Sequence, residues 1–163
     1  MTTTDQTVEP HSVMGQLNDF ISLTKPKVMS LLLVSAIAGA FLGSDATPKM
    51  EVLIAVLSGG ALAAGGAASL NMAYEKEIDQ KMGRTKNRPV AEGRISPVTA
   101  IIFGLTLNVL SFAIFSLMTN YLAALLAIAG TVLYFGLYTV ILKRTTPQNI
   151  VLGGAAGAVP PLV

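Results

Sequence analysis

The chain has 163 residues, of which 52% are hydrophobic and 12% charged, and its mean hydropathy is +0.63. Soluble domains carry about 25% charged residues, so this composition belongs to a membrane protein. The lack of cysteine excludes disulfides and thiolate metal sites, and a formal net charge of +2 is too small to indicate nucleic-acid binding.

The first 24 residues contain neither Lys nor Arg but include Asp5, Glu9 and Asp19. No basic segment leads into an apolar one, which argues against a secretory signal or an Arg-rich mitochondrial presequence. Residues 1–24 are expected to form a short cytoplasmic tail. Leu17, Phe20 and Ile21 would lie along the membrane interface, and His11, the single histidine, would be solvated.

A spanning helix needs about 20 mostly apolar residues. The first candidate runs from about Val28 to Gly43, after Thr24-Lys25-Pro26-Lys27; Asp45, Pro48, Lys49 and Glu51 form the next loop. The second, Val52 to Tyr74, is uncharged and carries glycines at 59, 60, 65 and 66 with alanines among them. Small residues permit close backbone approach, which places this helix inside a bundle. Ser96-Pro97 is a helix start, with Ser as cap and Pro at the first helical position. It opens a third span to Met118, and Thr119-Asn120 turns the chain into a fourth, Tyr121 to Leu142. Lys143, Arg144 and Pro147 end that span. A fifth apolar segment begins near Asn149, and Pro160-Pro161 would break or kink a helix there. The fold expected is an all-α, polytopic membrane bundle with about four complete spans plus the start of a fifth. Residues 25–163 would be the N-terminal part of a longer membrane domain.

Orientation follows from the basic residues in the loops. Ten of the eleven Lys and Arg residues fall on one side of these spans, and only Lys49 lies on the other. The N-terminus and the segment Asn71 to Pro89 are therefore expected to be cytoplasmic.

That segment, NMAYEKEIDQKMGRTKNRP, places three acids and five bases between Glu75 and Arg88, directly after an uncharged span. Asn71, Glu75 and Asp79 are spaced i, i+4, i+8. Successive members are about 40° apart around a helix and about 6 Å apart along it, so their oxygens share one face. Two carboxylates and an amide suit Mg²⁺, which keeps water ligands and shares the rest of its shell with substrate phosphate. Lys81, Arg84, Lys86 and Arg88 could neutralise other phosphate oxygens. The ring of Tyr74 could face a developing carbocation. The same residues also suit a solvated loop that only fixes topology, a role that fits Lys76 and Glu77, which fall off the shared face.

Asn71-x-x-x-Glu75-x-x-x-Asp79, followed by Met82-x-Arg84-Thr85-x-Asn87-Arg88-Pro89 and Gly93-x-Ile95-Ser96, resembles the first aspartate-rich motif of the UbiA superfamily of intramembrane prenyltransferases. Two further stretches are similar to its haem-farnesylating branch. One is Phe20-Ile21-x-Leu23-Thr24-Lys25-Pro26-Lys27-Val28. The other runs from Tyr138-Thr139 through Leu142-Lys143-Arg144 and Asn149-Ile150-Val151 to Pro160-Pro161-Leu162.

The resemblance implies a UbiA-like helical bundle with a cavity open to lipid, in a bacterial inner membrane. It implies transfer of a farnesyl group from farnesyl diphosphate to a vinyl group of haem B, giving haem O, with Mg²⁺ as cofactor. Haem-pathway or terminal-oxidase assembly proteins would be further partners. Asn71, Glu75 and Asp79 would hold Mg²⁺ and the diphosphate. Arg84, Arg88, Lys143 and Arg144 would contact phosphate, and Tyr138 would lie near the cavity mouth. Without the resemblance, Lys143 and Arg144 are membrane-interface anchors. Position 75 is Glu where many members of the superfamily carry Asp. The superfamily's second aspartate-rich motif would lie beyond Val163. The alternatives are a UbiA-type enzyme with an aromatic quinone-precursor acceptor, or a non-catalytic membrane fragment if the chain truly ends at Val163.

Overall fold

Each helix begins where the chain supplies a cap or a proline. In a computed structural model, which describes residues 12–142 and 157–163, the described chain is helical and contains no strand. Composition marks residues 1–24 as a tail, yet within them the Ser12 side chain accepts from the Gly15 N–H and starts α1 (Val13–Leu23). Pro26 opens α2 (Pro26–Leu42), and the two helices meet at 47° across Thr24-Lys25. α3 (Met50–Tyr74) is the longest element; after Glu75 the short α4 (Lys76–Lys81) carries its direction on. Ser96 caps α5 (Pro97–Met118), accepting from Thr99 N–H at 3.0 Å, and Asn120 caps α6 (Tyr121–Thr131), accepting from Ala123 N–H at 2.9 Å. Such side-chain caps contribute about 1 kcal/mol each. The span continues from α6 as a π-helical stretch, Val132–Leu142, and a 3₁₀ turn covers Pro160–Leu162.

Three helices are long and apolar enough to cross a membrane, and a fourth is reached if α1 and α2, bent by 47°, are counted together as one span. The span limits match the sequence expectation to within two residues at each described end, the usual precision of helix boundaries. Pro160-Pro161 ends regular helix, as a proline pair must. The segment from Asn149 to Ala156 lies outside the described residues, as do His11, Lys143 and Arg144.

Small residues put α3 at the centre. Of its apolar window 44% is buried, against 28% for α5 and 11% for the Tyr121–Leu142 span. α3 and α5 approach so closely that a Cβ on Gly59 would lie 2.9 Å from the Phe115 ring, and one on Gly104 would lie 2.8 Å from the Gly66 carbonyl oxygen. Hydroxyls bridge the same seam: Ser69 Oγ donates to the Ala100 carbonyl at 2.8 Å and Ser111 Oγ to the Gly59 carbonyl at 2.7 Å. Asn108 of α5, whose amide lies against Gly66 of α3, also accepts at Oδ1 from Thr131 Oγ1 of α6 at 2.6 Å. Interhelical bonds of this kind contribute about 0.6 to 2 kcal/mol each in lipid. They lock helices whose apolar surfaces would otherwise be indifferent to lipid or neighbour.

A second packed cluster joins the C-terminal end of α3 to the loop that follows. Leu23, Met72, Ala73, Val90, Ile95 and Ala100 are buried together, with Phe20 edge-on to Phe103 at 5.0 Å. Arg94 Nε reaches both carboxylate oxygens of Asp19 at 3.0 Å and ties α1 to the loop. Leu17 and Ile21, on the other side of α1, are exposed.

Candidate functional site

The site forms where α3 ends. The backbone N–H of Glu75 donates to Asn71 O at 3.0 Å, and that of Asp79 to Glu75 O at 2.8 Å. The i, i+4, i+8 register therefore survives the break between α3 and α4, and the three side chains stay in line. All three are buried, at 2%, 4% and 1% exposure for Asn71, Glu75 and Asp79. Glu77, off this face, is exposed and Lys76 is partly so. Two carboxylates this deeply buried depart from an ordinary solvated loop, because burying a charge is expensive without a partner.

For Asp79 that partner is Arg88, whose Nη1 contacts its two oxygens at 2.8 and 2.6 Å. The loop is shaped to deliver this arginine. Thr85 Oγ1 donates to the Asp79 carbonyl at 3.1 Å, Gln80 Nε2 donates to the Ala91 carbonyl at 2.8 Å, and Val90 is fully buried beside Pro89. Gly93 takes φ +83°, a left-handed backbone that lets the loop turn back toward Ile95. Arg84, in contrast, is exposed and forms no hydrogen bond or ion pair among the described residues.

Asn71 lies in a network of a different kind. Its Oδ1 accepts from Lys25 Nζ at 2.6 Å, and its Nδ2 donates to Thr139 Oγ1 at 3.1 Å; that hydroxyl in turn donates to the Tyr134 carbonyl, five residues back in the π-helical stretch, at 3.0 Å. Three spans thus converge on one amide. Tyr74 is 37% exposed and stands edge-on to Phe135 at 6.0 Å, while Tyr138 stacks on Tyr134 at 5.7 Å.

Beside this polar end lies a cavity of about 300 Å³. Its walls are α2 (Val28, Met29, Leu32, Leu33), the Ala63-to-Ala68 face of α3, and Gly130 and Tyr134 of the fourth span, with Val159 and Pro160 across one side. Lys25 and Thr24 stand at its polar end. Tyr134 rather than Tyr138 contributes to the wall. Small side chains on α3 leave the space that the larger residues of α2 line, so the chamber is apolar with a charged rim.

An all-oxygen donor set with two carboxylates and one amide suits a hard divalent cation that keeps part of its water. Among the described residues no group of three or more His, Cys, Asp or Glu side chains gathers to make a complete protein cage. Such a cation would need ligands from elsewhere.

Sequence reasoning missed Lys25, Thr139 and Tyr134 as members of the site. A lysine at a membrane edge is ordinarily a topology signal, and a lone threonine in an apolar run ordinarily bonds its own backbone. The signals were the two family-like stretches, which contain Lys25 and Thr139 without assigning them a role, and the Lys25-Pro26 pair, because the residue before proline is restricted and often marks a bend.

The profile of the UbiA prenyltransferase family matches residues 32–163. Among curated proteins, the chain is 46% identical over 153 residues to "Protoheme IX farnesyltransferase" of Trichodesmium erythraeum, covering 94% of this chain and 47% of that one. It is 51% identical over 145 residues to the protein of the same name from Chloroflexus aurantiacus, covering 89% and 25%. A third, from Synechocystis sp., is 43% identical over 164 residues, covering 100% and 52%. The chain thus spans about half the length, or less, of these relatives. No solved structure matches it. With a helical membrane bundle, a buried Asn-Glu-Asp face and a family profile that covers most of its length, the chain belongs to the UbiA prenyltransferase family.

Proposed function

We propose that this chain forms the N-terminal part of a protohaem IX farnesyltransferase, which transfers the farnesyl group of farnesyl diphosphate to a vinyl group of haem B and so makes haem O. The observation that carries this reading is the juxtaposition of the buried Asn71, Glu75 and Asp79 face with an apolar chamber of about 300 Å³. A prenyl diphosphate has the same two halves, a charged head and a long hydrocarbon tail. The names of the relatives supply the acceptor.

In this reading Asn71, Glu75 and Asp79 hold Mg²⁺, partly through the substrate diphosphate. When bound, Mg²⁺ neutralises charge on the leaving diphosphate. Arg88, placed beside Asp79, adds a second positive group where charge grows as the carbon–oxygen bond breaks, which stabilises the transition state more than the ground state. Arg84, exposed on the same loop, and Lys143 and Arg144 on the fourth-to-fifth connection contact the outer phosphate oxygens. The chamber keeps water away from the allylic chain until the electron-rich vinyl carbon attacks; diphosphate leaves with the carbon–oxygen bonding pair, and the cation left on the vinyl group is then quenched by water, which releases a proton. Tyr74, with Tyr138 behind Tyr134, presents aromatic surface to the cationic carbon near the mouth. The head-group site faces the cytoplasm across a bacterial inner membrane. Haem-pathway and terminal-oxidase assembly proteins are its expected neighbours.

Membranes containing the full-length protein, supplied with farnesyl diphosphate and Mg²⁺, should form haem O from haem B and leave a hydroxybenzoate acceptor unprenylated. Prenylation of the hydroxybenzoate alone would replace haem by an aromatic quinone precursor. Transfer to neither acceptor would reject the enzymatic reading.

A further inference from the structure

Lys25 has an unusual backbone. Among the described residues it is the only one other than glycine with positive φ, at 49° with ψ 64°. Its neighbour Pro26 restricts it further. A left-handed lysine is disfavoured by its own Cβ and persists where the surroundings over-determine it. Here Leu23, fully buried, anchors one arm of the elbow and α2 begins the other. The result of this turn is to carry Nζ across to the end of α3, 2.6 Å from Asn71 Oδ1.

The direction of the Asn71 amide follows from its partners. An ammonium can only donate, so it must meet the oxygen. The Thr139 hydroxyl commits its proton to the Tyr134 carbonyl and therefore accepts from Nδ2. The amide is thus clamped with its oxygen toward a positive charge. A metal cation approaching that oxygen meets repulsion from the ammonium, whereas an anion approaching it meets attraction. Lys25 also lines the polar end of the apolar chamber. Its charge stands at the junction of chamber and acidic face, where an amphiphile with a hydrocarbon tail would put a phosphate-bearing head.

We propose that Lys25 is a head-group-binding residue, whose ammonium, delivered by the left-handed elbow between α1 and α2 and parked on Asn71 Oδ1, transfers to the phosphate oxygens of an incoming prenyl diphosphate and frees the amide oxygen for the metal. The inference rests on the prenyl diphosphate reading above and adds a residue and a motion to it. An anionic phospholipid offers the same chemistry of tail and phosphate, so the two sources must be separated.

The test uses the full-length protein in nanodiscs, with farnesyl thiolodiphosphate as an unreactive probe, farnesol as a probe without the head, and phosphatidic acid as the lipid. Lys25→Gly removes the charge while relieving the left-handed backbone, which offsets part of the cost of the lost bond to Asn71 and keeps the variant folded; Lys25→Arg retains the charge. Loss of one charge-assisted hydrogen bond corresponds to about a tenfold or greater weakening of binding. Lys25→Gly should therefore weaken thiolodiphosphate binding about tenfold or more and leave farnesol binding and helical circular dichroism unchanged, and Lys25→Arg should recover most of the affinity. Unchanged thiolodiphosphate affinity in Lys25→Gly would overturn the proposal. So would an equal loss for farnesol, which would mean a damaged chamber, or a loss confined to phosphatidic acid, which would assign Lys25 to a lipid headgroup. Failure of the parent protein to bind the thiolodiphosphate at all would instead sink the prenyl diphosphate reading, and the role of Lys25 with it.

Discussion

Asp79→Asn separates what this carboxylate does for the fold from what it does for chemistry. The amide is nearly isosteric, so packing around a side chain that is 1% exposed is preserved. What changes is the charge facing Arg88 Nη1 at 2.8 and 2.6 Å. Hydrogen bonds between charged groups contribute about 1.5–3 kcal/mol, and leaving one member of a fully buried pair alone costs about 3–5 kcal/mol. The Arg88 side chain is 25% exposed, so water can recover part of its solvation and the lower range applies. The expected destabilisation is about 1–3 kcal/mol. A double-mutant cycle with Arg88→Gln, measured by reversible SDS unfolding of the full-length protein in mixed micelles, should give a coupling of that size. The effect on farnesyl transfer should be far larger, a fall of about a hundredfold or more, because the carboxylate would hold the cation that neutralises charge growing on the leaving diphosphate in a water-poor site. Full transfer activity of Asp79→Asn in membranes would refute its place in the diphosphate site. A coupling near zero would refute the energetic importance of the Arg88 contact.

Gly66→Ala should destabilise the bundle by about 1–3 kcal/mol, since overpacking outweighs the helix propensity gained. The added Cβ would collide with Asn108 Nδ2 and sit 2.6 Å from the Gly104 carbonyl oxygen, whereas one at Gly83 meets nothing within 4 Å. Gly83→Ala should accordingly stay within about 0.5 kcal/mol in the same SDS titration, and equal shifts at both positions would contradict the α3–α5 contact. Because these 163 residues contain no cysteine, a single cysteine can report topology from this half of the bundle. Lys49→Cys should react with an impermeant maleimide in intact spheroplasts and Lys86→Cys only after permeabilisation; the reverse pattern would invert the orientation. Chelation by EDTA should abolish both transfer and thiolodiphosphate binding, with recovery on adding Mg²⁺ and no change in helical circular dichroism. Binding that survives EDTA would remove the metal from the head-group site.

The spans were legible because transfer of apolar surface into lipid is a local, additive property of about 20 consecutive residues. Ser96-Pro97 and Asn120 were legible as starts because a cap involves neighbours three residues apart. The shared face of Asn71, Glu75 and Asp79 followed from helical periodicity, which the backbone bonds carry through the break at Glu75. The glycine and alanine content of Val52 to Tyr74 indicated an interior helix before any partner was known, because only small residues let backbones touch.

Other features depended on residues far apart in the chain. Residues 25, 71 and 139 converge on one amide through a bend at Lys25 and a π-helical stretch at Val132–Leu142, neither of which has a periodic signature in an apolar run. Arg88 and Arg84 look equivalent in sequence. The burial of Val90 and the Thr85 bond to the Asp79 backbone bring one onto a carboxylate and leave the other in solvent. Sequence by itself determined that this is a membrane bundle with an acidic face at the end of its second span, since hydrophobicity and helical spacing are local. Tertiary structure alone decided which cations meet that face and where the apolar chamber opens, because both depend on how close three helices can approach.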